Sequence, residues 1–213
     1  MNKKKVIVSW SGGKDSAFCL YKINQTYEVV GLLSIVKEGK IPMHNTDFQL
    51  IKKQAQTLHL PLYAVKYTHQ TQYEKDMYEL LNNFKDNNIY HIGFGDIFLE
   101  DLRNYRQARL NELGMSALFP LWNSSTSALI SDFISLGFKT VITNVDTNIL
   151  NKDLVGTTIT KKTLEKFNDK IDFCGENGEY HTFTYEGPLF LKSIQYQLSN
   201  FRQEKNIYTC DCS

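Results

Sequence analysis

Strand-like and helix-like segments alternate through residues 1–140, and that alternation restricts the fold more than any other feature of the sequence. Residues 6–10 form a short apolar run, a Gly-Gly turn follows, and a helix is expected over 15–23. A second strand is expected over 27–36. Ile51, Ala55 and Leu58 sit at i, i+4 and i+7, on one face of a helix. Pro61 opens a third strand, 62–67, and Tyr73, Met77, Leu80, Leu81 and Phe84 make another helical stripe before a fourth strand at 90–94. Residues 99–113 read as a helix stopped by Gly114, residues 117–121 as a fifth strand, and Leu129, Phe133 and Leu136 mark a helix that stops at Gly137. Elements in this order predict right-handed βαβ units and a parallel sheet covered on both faces.

From residue 145 onward the pattern changes. Residues 193–198 alternate apolar and polar, with Ile194, Tyr196 and Leu198 on one face, and 207–212 are expected to pair with them across the polar connection 200–206. Such alternation predicts a half-exposed antiparallel sheet. The expected organisation is an α/β nucleotide-type domain over 1–140 and a smaller mixed α+β domain over 145–213.

Composition removes several classes of protein. A chain of 213 residues buries roughly 70% of its unfolded surface and needs no disulfide or metal staple. Lys plus Arg number 24 against 23 Asp plus Glu, a net charge of +1, which argues against a dedicated nucleic-acid binder. No apolar run approaches the ~18 residues of a membrane helix. After Lys3-Lys4-Lys5 the apolar run stops at Ser9, too short for a signal peptide, so a cytoplasmic protein is expected. The four cysteines, Cys19, Cys174, Cys210 and Cys212, contain no CxxC pair, and Cys210-x-Cys212 alone cannot close a tetrahedral zinc shell. Trp10 and Trp122 are assigned to packing.

The segment Ser11-Gly12-Gly13-Lys14-Asp15-Ser16 lies directly between the first strand and the first helix. Two glycines let the backbone turn tightly and bring its N–H groups close to an anion, and the first helical turn completes a phosphate cradle. Ser11 and Ser16 add hydroxyls, Lys14 adds a point charge, and Asp15 suits a bound Mg²⁺ or a helix cap. Neither the Walker A spacing, GxxxxGK[ST], nor the dinucleotide fingerprint, GxGxxG, is present. The hexapeptide resembles the PP-loop, SGGxDS, of the N-type ATP pyrophosphatases. That resemblance implies a loop that holds the β- and γ-phosphates of ATP, leaves the α-phosphorus open to attack, and yields AMP and pyrophosphate.

Three further segments narrow the resemblance. Gly93-Phe94-Gly95-Asp96-Ile97 runs into Glu100-Asp101-Leu102-Arg103; Phe119-Pro120-Leu121-Trp122 follows; and Gly175-Glu176-Asn177-Gly178-Glu179-Tyr180-His181-Thr182 precedes Gly187-Pro188. With the PP-loop they resemble the diphthine–ammonia ligase family over nearly the whole chain. The resemblance implies a Rossmann-like, adenine-nucleotide α-hydrolase-like ATP domain with a small substrate domain, and ATP-dependent amidation of the diphthine carboxylate on elongation factor 2 with ammonium. Asn177 and His181 depart from the usual GEGGEYET, which places the chain nearer the short bacterial relatives and leaves the acceptor open, a small-molecule or a protein carboxylate.

Expected site residues follow from these segments. Ser9, Ser11, Gly12, Gly13, Lys14, Asp15, Ser16, His44, Gly95 and Asp96 are assigned to ATP, and Asp15 and Asp96 to Mg²⁺; for His44, in the loop after the second strand, the resemblance implies an adenosine contact, and an exposed loop histidine is the equal alternative. Lys14, Asp15, Glu176, Glu179 and His181 are assigned to catalysis, because alternating carboxylates and an imidazole on a Gly-rich loop have no packing rationale and suit general-base or metal-binding work. Asp96, Glu100 and Asp101 follow a strand end, where ligands of open α/β sheets sit; Glu100 and Asp101 equally suit a helix N-terminus. No glutaminase segment is present, so ammonium is the expected nitrogen donor, and a homo-oligomer is left open. The competing readings are a PP-loop tRNA-modifying enzyme, against which the missing CxxC pairs and balanced charge argue, and a non-catalytic nucleotide sensor.

Overall fold

A computed structural model, describing residues 3–167 and 170–213, realises the expected alternation. The elements run β1 (Lys5–Ser9), α1 (Lys14–Thr26), β2 (Glu28–Val36), β3 (Lys40–Ile41), β4 (Thr46–Asp47), α2 (Phe48–Leu58), β5 (Leu62–Lys66) and α3 (Gln70–Asp86). They continue β6 (His91–Gly93), α4 (Glu100–Asn111), β7 (Ser116–Leu118), α5 (Thr126–Ser135), β8 (Lys139–Asp146), a 3₁₀ turn (Lys152–Leu154), α6 (Lys161–Leu164), β9 (Tyr180–Glu186), β10 (Leu198–Glu204) and β11 (Ile207–Cys212).

The first sheet has the order β5-β2-β1-β6-β7 with every pair parallel. Chain order reverses between β1 and β6, so the crevice beyond their carboxyl ends is the natural ligand position. Successive residues of β1 face opposite sides. Ile7 packs with Leu81 and Phe84 of α3 and Leu110 of α4, while Val6 and Val8 pack with Phe18 and Ile23 of α1, Ile51 of α2 and Phe133 of α5. This second cluster continues into Ile142, Val145, Tyr180 and Cys210 of the other sheet. α1 is therefore buried between two sheets.

The second sheet runs β3-β4-β11-β8-β9, with β10 on β11. It draws on residues 40–47 as well as on the C-terminal part of the chain. No strand is expected at β8 from its pattern, because Thr140, Thr143 and Asn144 break the apolar run. All three are buried and hydrogen-bonded: Thr143 Oγ1 donates to His181 O at 3.2 Å, Thr140 Oγ1 accepts from Thr184 Oγ1 at 3.3 Å, and Asn144 Nδ2 donates to Met43 O.

The C-terminal hairpin corrects one expectation. The strand paired with β11 is β10, joined to it by the two residues Lys205 and Asn206, and residues 193–197 lie outside any strand. Ile194 and Tyr196 do point inward, onto Val141, Phe183 and Cys212. Among the described residues, backbone pairing there is limited to Gln197, which exchanges N–H···O bonds with Ser213, and to Ile194 N, which donates to Tyr185 O at 2.8 Å. The four cysteines are free and buried, and no helix of the described residues is long and apolar enough to cross a membrane.

One side chain ties the two sheets together at the start of α1. Gln54 of α2 is fully buried; its Nε2 donates to Gly12 O at 3.0 Å and to Thr184 O at 2.6 Å, and its Oε1 accepts from Trp10 Nε1 at 2.8 Å. Gly12 O keeps a second donor, Thr184 N, at 2.8 Å, whereas the Trp10 N–H and the Thr184 carbonyl depend on Gln54. Gln54→Leu orphans both, at about 1–3 kcal/mol for each buried group. A fall of about 2–6 kcal/mol in unfolding free energy by urea titration is expected. An unchanged midpoint and slope would remove Gln54 from this role.

Candidate active site

The loop after β1 adopts a geometry that its residues require. Gly12 has φ +79°, and a Cβ there would lie 2.5 Å from Ile51 Cδ1. Gly13 precedes α1 without any side-chain cap. Lys14 N donates to Thr182 Oγ1 of β9 at 3.0 Å and Ala17 N to Gly13 O at 3.1 Å. The N–H groups of Asp15 and Ser16, between them, have no protein acceptor among the described residues. Uncapped amides at the positive end of a 13-residue helix form an anion site. Across the loop, Gly95 passes so close that a Cβ would sit 2.8 Å from Asp15 O.

These elements wall one cavity of about 540 Å³, within the usual range for small-ligand sites. Of the residues expected from the sequence, Ser9, Ser11, Lys14, Asp15, Ser16, His44, Gly95, Asp96, Glu176 and His181 all line it. Gly12 and Gly13 lie buried beneath its floor. Glu179 is 2% exposed and does not line the cavity; its Oε1 accepts from Asp172 N and Asn177 Nδ2, both at 3.1 Å, so it shapes the loop that carries Glu176. Glu100 and Asp101 sit exposed in the first turn of α4, the position acidic residues favour in any helix.

Lys14 is buried, its Nζ 2.8 Å from Asp15 Oδ2 and 4.9 Å above the Tyr180 ring. Burial works against its charge, and Asp15, Cys174 and Glu176 together outweigh it, holding the pKa above the ordinary lysine value. His44 Nδ1 lies 2.9 Å from Thr182 O. A carbonyl only accepts, so Nδ1 carries the proton and Nε2 is left as an acceptor. The His44 ring lies 4.8 Å from that of His181, and its Cε1 is 2.6 Å from where a Gly13 Cβ would be. It therefore stands over the loop itself. Burial lowers the pKa of both histidines, with Lys14 acting in the same direction on each, and His181 falls well below 6.5. Both rings are neutral at pH 7.

Asp96 has a partner that its place after β6 does not reveal. Both of its oxygens accept from Nη1 of Arg106, on α4. No group of three or more His, Cys, Asp or Glu side chains able to hold a metal occurs among the described residues. Arg106, Leu99 and Leu102 of the cavity wall lie on one helix face at i, i+3 and i+7. That spacing is visible in the sequence, although Arg106 is separated from the Gly93–Ile97 motif and was not expected at the site. Tyr180 and Thr182 also line the wall, at the end of the Gly175–Thr182 segment singled out in the sequence, and β9 carries them up to the loop after β1. Trp122 and Phe119 sandwich neighbours outside the cavity: the Arg103 guanidinium lies 4.5 Å from the Trp122 ring.

A second cavity of about 460 Å³ opens between α3 and α4 over the carboxyl ends of β1, β2 and β6. Its walls are largely apolar, including Leu33, Ile35, Met77 and Phe94, and it shares Ser9, Leu102 and Arg106 with the first.

The chain matches two family models in succession. The diphthamide synthase N-terminal domain matches residues 4–117 and the diphthamide synthase C-terminal domain residues 125–209. It is 28% identical over 220 residues to the diphthine–ammonia ligase of Schizosaccharomyces pombe, covering 89% of this chain and 36% of that protein. With the diphthine–ammonia ligase of Danio rerio it shares 27% identity over 223 residues, 89% of this chain and 85% of that one. With that of Mus musculus it shares 28% over 212 residues, 86% and 79%. The chain thus spans about a third of the fission-yeast protein and most of the vertebrate ones.

Glu176 gives the cavity a pH signature. Its Oε1 accepts from Ile97 N at 2.8 Å. Burial pushes its carboxyl up to about 7, against the pull of the Ile97 amide and with the push of Asp15. A carboxyl raised on folding holds its proton more tightly in the folded chain. The stability it contributes is fully present below the unfolded glutamate pKa and is lost as pH rises through about 7. Carbon-detected NMR should show one glutamate titrating near pH 7, absent in Glu176→Gln, whose stability loses that slope. A titration in the ordinary carboxylate range would overturn it.

Proposed function

The chain belongs to the diphthamide synthase family, and on that premise we propose that it is an ATP-dependent ligase that adenylates a carboxylate, releases pyrophosphate and passes the acyl group to ammonia. The observation that carries this reading is a single cavity in which the uncapped start of α1 and a desolvated carboxylate, Glu176, face the same space. A nucleotide sensor has no use for the second group.

The β- and γ-phosphates are assigned to the amides of Asp15 and Ser16, the hydroxyls of Ser11 and Ser16, and Lys14. The purine is assigned to the apolar cavity between α3 and α4. Pre-organised N–H groups of this kind stabilise the charge that develops on departing pyrophosphate. Mg²⁺ fits at Asp15: this carboxylate is partly exposed on the cavity, and Mg²⁺ characteristically takes one or two carboxylates with the remaining positions filled by phosphate and water. Bound there, the ion supplies charge neutralisation between phosphate oxygens. Asp96, held by Arg106, is not needed as a ligand.

Glu176, with a pKa near 7, is positioned to take a proton from ammonium or its adduct. His181 and the rest of the Gly175–Thr182 segment are assigned to the acceptor. The nucleotide belongs on residues 1–140 and the acceptor on residues 145–213, with β3 and β4 lent to the second sheet. The acceptor is a carboxylate, on a protein as in the relatives' names or on a small molecule, and the cytoplasm is the compartment proposed.

Product analysis by ³¹P NMR, with ammonium and either a diphthine-bearing elongation factor or a small carboxylic acid as acceptor, should show AMP and pyrophosphate. Lys14→Ala and Asp15→Ala should each weaken ATP binding by roughly tenfold to a hundredfold, the loss of about 1.5–3 kcal/mol per charge-assisted contact. ADP and phosphate as sole products, or unchanged affinity in both variants, would sink the reading.

A further inference from the structure

We propose that Arg106 is the residue that binds the α-phosphate of the nucleotide and stays with it through both half-reactions, with Asp96 and Phe94 as its positioning residues. This rests on the ATP-ligase reading above and adds a catalytic group to it.

The argument is one of place. The two cavities meet at Ser9, Leu102 and Arg106. With the purine in the apolar cavity and the β- and γ-phosphates at the start of α1, the α-phosphorus has to lie at that seam. Arg106 is the cation there. Lys14 is buried against Asp15 on the loop side, and Arg109, lining the apolar cavity, approaches Glu74 at 3.9 Å and Glu112 at 3.4 Å.

Arg106 is also held for such a task. Nη1 is bound to both oxygens of Asp96, and the guanidinium lies 4.6 Å from the centre of the Phe94 ring. A guanidinium carries five N–H donors; Asp96 engages one nitrogen, and Nε and Nη2 have no protein acceptor among the described residues. The arginine side chain is 27% exposed against 9% for the aspartate. The buried partner anchors one nitrogen of a residue that lines both cavities, an arrangement suited to forked recognition of phosphate oxygens.

The chemistry gives that edge a role in each step. An acceptor carboxylate oxygen bonds to the α-phosphorus while the bond from that phosphorus to the α–β bridging oxygen breaks, its electron pair leaving with pyrophosphate. Charge rises on the non-bridging α-oxygens, against Arg106. In the second step ammonia bonds to the acyl carbon, the acyl–oxygen bond breaks with its electrons going to AMP, and the surplus proton passes from nitrogen to Glu176. Arg106 again meets the anion that forms.

Calorimetry with adenosine, AMP and pyrophosphate separates the parts of the site. Arg106→Gln should weaken AMP at least tenfold and leave adenosine and pyrophosphate within about threefold, under 0.7 kcal/mol. Asp96→Asn should weaken AMP severalfold with adenosine unchanged, Asp96→Glu should recover part of that loss, and both should shift the ³¹P resonance of bound AMP. Arg106→Lys, which keeps the charge, decides the matter if Arg106→Gln does not fold: it too should weaken AMP more than adenosine. Equal losses for all three ligands, or unchanged AMP binding in the folded variants, overturn this assignment alone. A wild-type protein that binds none of the three overturns the ATP-ligase reading with it.

Discussion

Gln54 joins parts of the chain that are 42, 44 and 130 positions away: Gly12 in the loop after β1, Trp10 before it, and Thr184 in β9. Its carboxamide has no exposure, and a buried amide of this kind is favourable only when its donors and acceptors are met together. The start of α1 is consequently fixed against β9. Two residues earlier in the same strand, Thr182 completes the attachment: its hydroxyl accepts from Lys14 N and its carbonyl from His44. The phosphate-loop, His44 and β9 walls of the cavity meet at this junction, and α4 closes the remaining side. The first sheet supplies the loop, residues 40–47 supply His44, and β9 supplies His181 and the end of the Glu176 loop. Without it, the two sheets are each a plausible fold and neither is a site.

What could be read in advance follows the range of the interactions. The loop from Ser11 to Ser16 was legible because its geometry is local: a strand end, two glycines and a helix start fix the backbone wherever the rest of the chain goes. The first sheet was legible because βαβ order and handedness leave few topologies. β8 was not, since the hydroxyls and the amide of Thr140, Thr143 and Asn144 look like surface residues until their partners on β9 and at Met43 are present. The alternation over residues 193–198 identified the inward residues and misplaced the ladder, because side-chain burial and backbone pairing are separate facts. Asp96 was recognised as important because an acidic residue after a strand suits a cation of any sort, and only the fold brings Arg106 round to it.

The cavity's charges are arranged in compensated pairs, Lys14 with Asp15 and Arg106 with Asp96. Such pairs contribute little net stability when taken out of water, so their value lies in presenting cationic groups without repelling one another or melting the loop. Burial pushes the Asp96 carboxyl up, with Arg106 pulling it back, and the same guanidinium lies 4.6 Å from the centre of the Phe94 ring. Glu176 has no such cation bound to it. Its nearest partner is a neutral amide, Ile97 N, and burial therefore decides its pKa.

His181 shows what this arrangement means for the acceptor. Its ring lies against His44, and burial with Lys14 nearby keeps both neutral. Were an acid to occupy position 181, it would face the same space as Asp15 and Glu176 and add negative charge to that wall. An anionic acceptor entering there would meet like charge, at an energy cost that low dielectric magnifies. A neutral ring removes the repulsion and retains a hydrogen-bonding nitrogen. On the proposed reading, the exchange of acid for imidazole leaves the phosphate side of the cavity untouched, because that side is built from amides, hydroxyls and two fixed cations. It alters the acceptor side, favouring a carboxylate that arrives with its full charge and without a cation of its own to offset the wall.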